Sequence, residues 1–309
     1  MKLTELKFRL DFERPVLADV FPAFALRSVL GLYLKRMHCV VHSATCEDCP
    51  FVHTCSYAFL FESILPKENA VIPGRNRASH PFRIETLVRP GELVSTLDFT
   101  FQLYGKGIEY VPHVIYAFRI AGEKGLFRSR MPFKTHVFNS KDLPLDHGDK
   151  IIMNRVGISN LALAPNNLAF RRNKYHVVCN TPVRFKTRGK YSANFSARDF
   201  LEACKRRIET LLCLYGTEDE CANLEFSSQD FNIEISENSL HWYDLTRYSS
   251  RQESLMKLGG VIGSFEISGE APEYLWKILE IASIVGVGKN TSFGLGSIDV
   301  REVSHAERI

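Results

Sequence analysis

The sequence predicts an α+β protein built from two ferredoxin-like domains in tandem, each an antiparallel sheet with helices on one face. Two observations carry that expectation. Apolar residues recur at alternate positions in some segments and at three- and four-residue steps in others. The resulting order of strand, helix, two strands, helix, strand is run through twice in 309 residues, a length that suits two ordinary domains better than one large one.

In the first half, Lys2 to Phe12 sets Leu3, Leu6, Phe8, Leu10 and Phe12 among charged neighbours, the period of a half-buried strand. From Phe24 the spacing turns helical, with Leu26, Val29, Leu30, Tyr33, Leu34 and Met37. His80 to Leu87 and Leu93 to Tyr104 read as strands, Tyr110 to Ile120 as a helix with Pro112 in its first turn, and Phe133 to Phe138 as a strand. The segment 142–173 is rich in Pro, Asn, Asp and Gly and marks a junction, giving domains over 1–160 and 161–309. In the second half, Tyr175 to Phe185 reads as a strand and Ser196 to Tyr215 as a helix. One or two strands follow over Phe231 to Tyr243, then a strand over Gly260 to Ser268, a helix over Pro272 to Ser283 and a closing strand over Ser297 to Val303.

A composition of 45% hydrophobic and 24% charged residues is that of a globular chain, and a net charge of +4 is only mildly basic. The distribution of charge says more. Arg171, Arg172, Lys174, Arg184, Lys186, Arg188 and Lys190 fall in a stretch without Asp or Glu, which predicts a polyanion-binding strip. The opening MKLTELKFRLDFERP has no signal-peptide pattern, and no uncharged apolar run nears the roughly 18 residues that span a bilayer. A cytoplasmic protein with no membrane partner is expected.

Cys39, Cys46, Cys49 and Cys55 are spaced C-x6-C-x2-C-x5-C, which suits four sulfur ligands of a structural zinc or a small iron–sulfur cluster, with His53 able to replace Cys39. A redox pair or free buried thiols are the other readings. Cys179, Cys204, Cys213 and Cys221 are dispersed and read as ordinary core or surface residues.

The segment GVGKNTSFGLGSIDV places Gly286, Gly288, Gly294 and Gly296 around Lys289, Asn290, Thr291 and Ser292. Such a loop can turn backbone N–H groups toward phosphate. It lacks both the G-x-x-x-x-G-K-[ST] order and the strand-then-helix setting of nucleotide-binding loops, since its glycines follow a helix and precede the last strand.

That loop, with RYSSRQESLMKLGGVIGSFE (247–266), TPVRFKTRGKY (181–191) and the LRSVLGLYLKRMHC and CEDCPFVHTCSYAFLFE segments, resembles the precursor-crRNA processing endoribonucleases of the RAMP superfamily of CRISPR proteins. The resemblance implies two RAMP/RRM-like ferredoxin domains and binding of CRISPR repeat RNA. It further implies metal-independent cleavage of precursor crRNA by 2′-hydroxyl attack, leaving a 2′,3′-cyclic phosphate. No cofactor is required for that chemistry, but a base, an acid and charge stabilisation are. Other CRISPR effector or adaptation proteins are further candidate partners.

The resemblance implies a catalytic histidine on or just after the first helix. Related sequences commonly place one directly after the helix glycine, where this chain has Leu32. Helical steps join Arg27, Gly31, Lys35, His38 and His42 into one polar stripe, so His38 and then His42 are the candidate proton-transfer groups, helped by Lys35 or Tyr33. Arg184, Lys186, Arg188 and Lys190 alternate along a predicted strand as an RNA-tracking face, while Arg247 and Arg251, with Tyr248 to stack on a base, join Arg27 and the glycine loop as further RNA contacts. A solvated charged face is the bland alternative for each stripe. A catalytically silent crRNA-binding subunit of the same superfamily is the rival for the chain, and a ferredoxin-like iron–sulfur redox protein is a third class resting on the cysteines alone.

Overall fold

The computed structural model of the chain describes every residue except 42–43, 66–76, 149, 162–168, 222–231, 250–253 and 304–309. It divides into two compact units, one of residues 1–160 with 213–216 and one of 161–212 with 217–309.

In the first unit, β1 (Lys2–Leu17), β2 (Phe82–Glu85), β3 (Leu93–Tyr104) and β4 (Phe133–Asn139) form an antiparallel sheet of order β2-β3-β1-β4. The helices α1 (Pro22–His38) and α2 (Val111–Lys124) complete the ferredoxin-like order. Alternation along β1 buries Leu6, Phe8 and Leu10 on one face. There Phe8 stacks on Phe99 at 4.8 Å and tilts against Phe118 of α2 at 5.1 Å, pairings that add about 0.5–1.5 kcal/mol each to the burial itself. β1 runs on past the predicted Phe12 to Leu17, with an irregularity between Asp11 and Val16 that lets the strand carry Pro15. Pro112 stands in the first turn of α2, where its missing N–H costs nothing.

α1 ends at His38, and the Cys39 N–H closes the last turn on the Lys35 carbonyl. Lys35, Arg36 and His38 all lie in that turn, complementing the negative end of the helix dipole. Gly31 is buried, and a Cβ there would lie 2.3 Å from the Phe61 ring, so glycine is what lets the π-helical turn Ala58–Glu62 press against α1.

In the second unit, β5 (Phe170–Val183), β6 (Asn232–Ser236), β8 (Ser254–Pro272) and β9 (Ile298–Glu302) repeat the scheme in the order β6-β8-β5-β9, with β7 (His241–Ser249) also paired to β8. The helices are α3 (Ala197–Tyr215) and α4 (Glu273–Val285). Phe200 of α3 meets Phe265 of β8 edge-on at 5.0 Å, and Cys179 and Cys204 are buried in this core. Cys213 is disulfide-bonded, so it is more than the ordinary core or surface residue that its place in the sequence suggests. Among the described residues no helix is long and apolar enough to cross a membrane.

Candidate active site and RNA interface

The polar stripe on α1 stops where the helix stops. Arg27 is half-buried, its guanidinium 4.1 Å above the Phe61 ring and 2.9 Å from Nε2 of His80, so it serves packing at this end of the unit. Tyr33 is only 6% exposed and sits on the apolar side under Arg36, as its helical spacing implies, away from solvent. Lys35 is exposed, with Nζ 6.0 Å from the Tyr57 ring. His42 lies outside the described residues, and because α1 ends four residues earlier, helical spacing no longer links it to His38.

His38 is partly buried against His113 in the first turn of α2, their ring centroids 4.8 Å apart. Nε2 of His38 and Nδ1 of His113 are both buried without a hydrogen-bond partner. Burial first, and then the neighbouring His113, push the His38 imidazole below its ordinary value. A histidine so placed is held neutral near physiological pH, the form that accepts a proton. His113 is absent from the candidates that the sequence offers. It stands in the word Val-Pro-His, which signals a helix start, while its nearness to His38 comes from α1 packing on α2 across 75 positions of chain.

Cys39, Cys46, Cys49 and Cys55 line one cavity of about 210 Å³ together with His38. The cavity does not gather them as ligands: among the described residues no group of three or more His, Cys, Asp or Glu could hold a metal ion. The Cys39 thiol faces the Val41 carbonyl at 3.4 Å, and burial, then Glu62, raise the Cys46 thiol, which favours its protonated form. Those four cysteines therefore do not fit the expected zinc or iron–sulfur cluster. Their C-x-x-C spacing is real and all four line the cavity, but lining one cavity is not the same as converging on one ion. His53 is exposed and does not line it.

In the second unit the basic segment is not one strand. β5 ends at Val183, and Lys186–Thr187 pairs with Lys190–Tyr191 as a short hairpin whose turn is Arg188 and Gly189, at φ of +49° and +81°. Lys186, Arg188 and Lys190 are exposed, and among the described residues none of them pairs with a carboxylate. Arg184 is half-buried, its guanidinium 3.8 Å above the Tyr191 ring and Nη1 2.5 Å from the Gly259 carbonyl. Further back on β5, Lys174 and Arg171 are matched by Glu266 and Glu273, so the free positive charge concentrates at the hairpin.

The glycine loop packs against the start of this hairpin. Lys289 N–H donates to the Arg184 carbonyl, Gly296 N–H to Pro182 and Val287 N–H to Gly296, while Gly286, Phe293, Gly294 and Leu295 donate to carbonyls of the preceding helix or the loop itself. Gly286, Gly288, Gly294 and Gly296 all have φ between +76° and +82°. A Cβ would lie 2.3 Å from the Arg184 oxygen at Gly288 and 2.2 Å from the Val287 oxygen at Gly296. The glycines are thus accounted for by the loop's own turns, and most of these amides are spent on the fold rather than offered to phosphate. What the loop exposes is Lys289, with Asn290 and Phe293 half-exposed. Arg247 of β7 lies 4.6 Å above the Phe293 ring, and burial lowers its guanidinium from the ordinary value without abolishing its charge. Arg251 lies outside the described residues. Tyr191 and Phe293, the aromatic seats of Arg184 and Arg247, are not legible as such in the sequence, since Arg184 meets Tyr191 only when the hairpin closes and Arg247 of β7 meets Phe293 only when the 3-10 turn Thr291–Phe293 folds against it.

Two family models match the chain: residues 1–160 match one described as an N-terminal domain, and residues 177–298 match CRISPR-associated endoribonuclease Cas6. An uncharacterised protein of Archaeoglobus fulgidus is 23% identical over 311 residues, covering 97% of this chain and 98% of its own length. Among solved structures, a Cas6 product complex is similar at a TM-score of 0.52 and 15% identity, covering 97% of this chain and 99% of that one. Thermus thermophilus Cas6 matches at 0.52 and 15%, covering 97% and 98%. A partial Cas6-RT-Cas1–Cas2 complex matches at 0.53 and 17%, covering 98% of this chain and 46% of that one. Residues 177–298 thus carry a domain of the Cas6 type of CRISPR RNA-processing protein, joined to a first unit that matches an N-terminal-domain model, on the fold shared with solved Cas6 structures.

Proposed function

We propose that the chain binds CRISPR repeat RNA in the cytoplasm and cuts precursor crRNA once, without a metal ion, by attack of the substrate's own 2′-hydroxyl. The observation that carries the reading is His38: a half-buried imidazole at the end of α1, held toward its neutral form, in a chain with a Cas6-type domain. His38 takes the proton of the 2′-hydroxyl as its oxygen bonds to phosphorus, the bond to the 5′-oxygen breaks, and a proton delivered to that oxygen completes the step. The products are a 2′,3′-cyclic phosphate and a 5′-hydroxyl. The nucleophile belongs to the RNA, so no metal-activated water is called for. Lys35, exposed one turn before His38, is suited to stabilise the charge that gathers on the phosphate.

Lys186, Arg188, Lys190 and Lys289 contact backbone phosphates and fix register, while Arg184 on Tyr191 and Arg247 on Phe293 offer flat, cationic surfaces to unstacked bases. The structural likeness to a Cas6 product complex and to a Cas6-RT-Cas1–Cas2 assembly supports repeat RNA first and other CRISPR proteins second as partners.

The test is incubation with the organism's own repeat RNA in EDTA, followed by mapping of both new ends. One cut with a cyclic-phosphate end is the expected result. Cleavage that vanishes in EDTA and returns with magnesium contradicts the mechanism, and tight binding without any cut identifies a silent crRNA-binding subunit instead.

A further inference from the structure

We propose that His113 is the acid of the cleavage reaction, the group that protonates the departing 5′-oxygen while His38 accepts the 2′-hydroxyl proton. This rests on the reading of His38 given above and adds the residue that reading leaves open.

The cleavage needs two proton transfers on opposite sides of one phosphorus. A single imidazole performs both only by moving its proton between steps. The structure supplies a second imidazole in contact with the first, 4.8 Å between centroids and 48° between planes. The two come from opposite ends of packed helices, His38 from the last turn of α1 and His113 from the first turn of α2. Each ring has one nitrogen buried without a partner, Nε2 of His38 and Nδ1 of His113. A purely structural histidine in a core finds hydrogen bonds for its ring nitrogens, because an unpaired buried polar atom costs about 1–3 kcal/mol. Two such atoms on touching rings are a cost that packing does not explain and proton exchange does. Like charges this close repel, so a proton on one ring disfavours a second on its neighbour, and His113 accordingly adds to burial in lowering the His38 imidazole. Burial favours the neutral form of His38, which leaves donation to His113. In balance, the 2′-oxygen loses its proton to His38 and bonds to phosphorus, the phosphorus–5′-oxygen bond breaks, and that oxygen takes the proton of His113. The pair ends with the proton on His38, and solvent exchange resets it.

Single-turnover cleavage of repeat RNA is compared with cleavage of the same RNA carrying sulfur for the bridging 5′-oxygen at the scissile phosphate, whose thiolate leaves without protonation. His113→Ala is expected to slow the oxygen substrate roughly a hundredfold with repeat-RNA affinity unchanged, and to cut the sulfur substrate at close to the wild-type rate. His38→Ala is expected to stay slow on both. If His113→Ala cuts the oxygen substrate at the wild-type rate, or is slowed equally on both substrates, His113 is not the acid. The more conservative His113→Gln repeats the test should the alanine variant fold poorly. An undiminished rate in His38→Ala strikes the base assignment instead, so the two failures are separable.

Discussion

At Gly288 and Lys289, adjacent residues divide fold from recognition. Gly288 has a φ of +76° and its missing Cβ leaves room for the Arg184 carbonyl, whereas the Lys289 side chain is exposed at the loop's tip. Gly288→Ala is expected to lower the unfolding midpoint by several degrees: left-handed backbone costs alanine about 1–2 kcal/mol and the clash with backbone adds to it. Lys289→Ala is expected to leave that midpoint unchanged and to weaken RNA binding, as read by filter binding at fixed salt. Equal midpoints for Gly288→Ala and the parent contradict the structural account of the loop. The glycines were legible in the sequence as a special loop, but not for the right reason. Their spacing suggests amides offered to a ligand, and only the three-dimensional packing reveals that Lys289, Val287 and Gly296 spend theirs on Arg184, Gly296 and Pro182. Tyr33 was the more legible case: helical spacing sets it among the apolar positions of α1, and the core buries it.

Among the elements, the hairpin 186–191 is where sequence and structure differ most usefully. Alternating Arg184, Lys186, Arg188 and Lys190 fit one strand face, yet Arg188-Gly189 supplies the two positive-φ positions of a tight turn, a signal present in the sequence and overridden there by the charge pattern. A hairpin tip carrying exposed cations protrudes where a strand face would lie flat. Lys186→Ala combined with Arg188→Ala is expected to weaken repeat-RNA binding and to flatten the dependence of log affinity on log salt by roughly one unit for each phosphate no longer neutralised. An unchanged slope removes the hairpin from the interface. The cysteines separate by element as well. Burial raises the Cys179 thiol of β5 to about 12 and pushes the Cys204 thiol of α3 up further, while Cys39, Cys46, Cys49 and Cys55 line a partly open cavity. Alkylation of native protein at pH 8 should therefore reach the cavity cysteines and spare Cys179 and Cys204 until the chain unfolds, as peptide mass mapping will read. Labelling of Cys204 at the same rate as Cys49 contradicts the packing of α3.

Over the whole molecule, the repeated topology was legible because it rests on periodicity, a local property: the period of two in β1, β3 and β5 and the period near 3.6 in α1, α3 and α4 survive in the bare sequence. Strand ends were less legible, since the extensions to Leu17 and to Pro272 depend on neighbours in the sheet rather than on the strand's own residues. Of the two imidazoles of the proposed site, His38 is legible in the sequence because it shares a helix with Lys35, while His113 is brought to it by the packing of α1 on α2. On the proposed reading the first unit cuts and the second grips RNA, so substitutions should fall into two classes. Those at His38 and His113 slow cleavage and spare binding; those at Lys186, Arg188 and Lys289 weaken binding and spare the rate at saturating protein. The most direct measurement is single-turnover cleavage of repeat RNA by His38→Ala at saturating protein, in EDTA, beside its binding curve. The account predicts a rate reduced roughly a hundredfold or more with affinity unchanged, and a wild-type rate in that variant would contradict it.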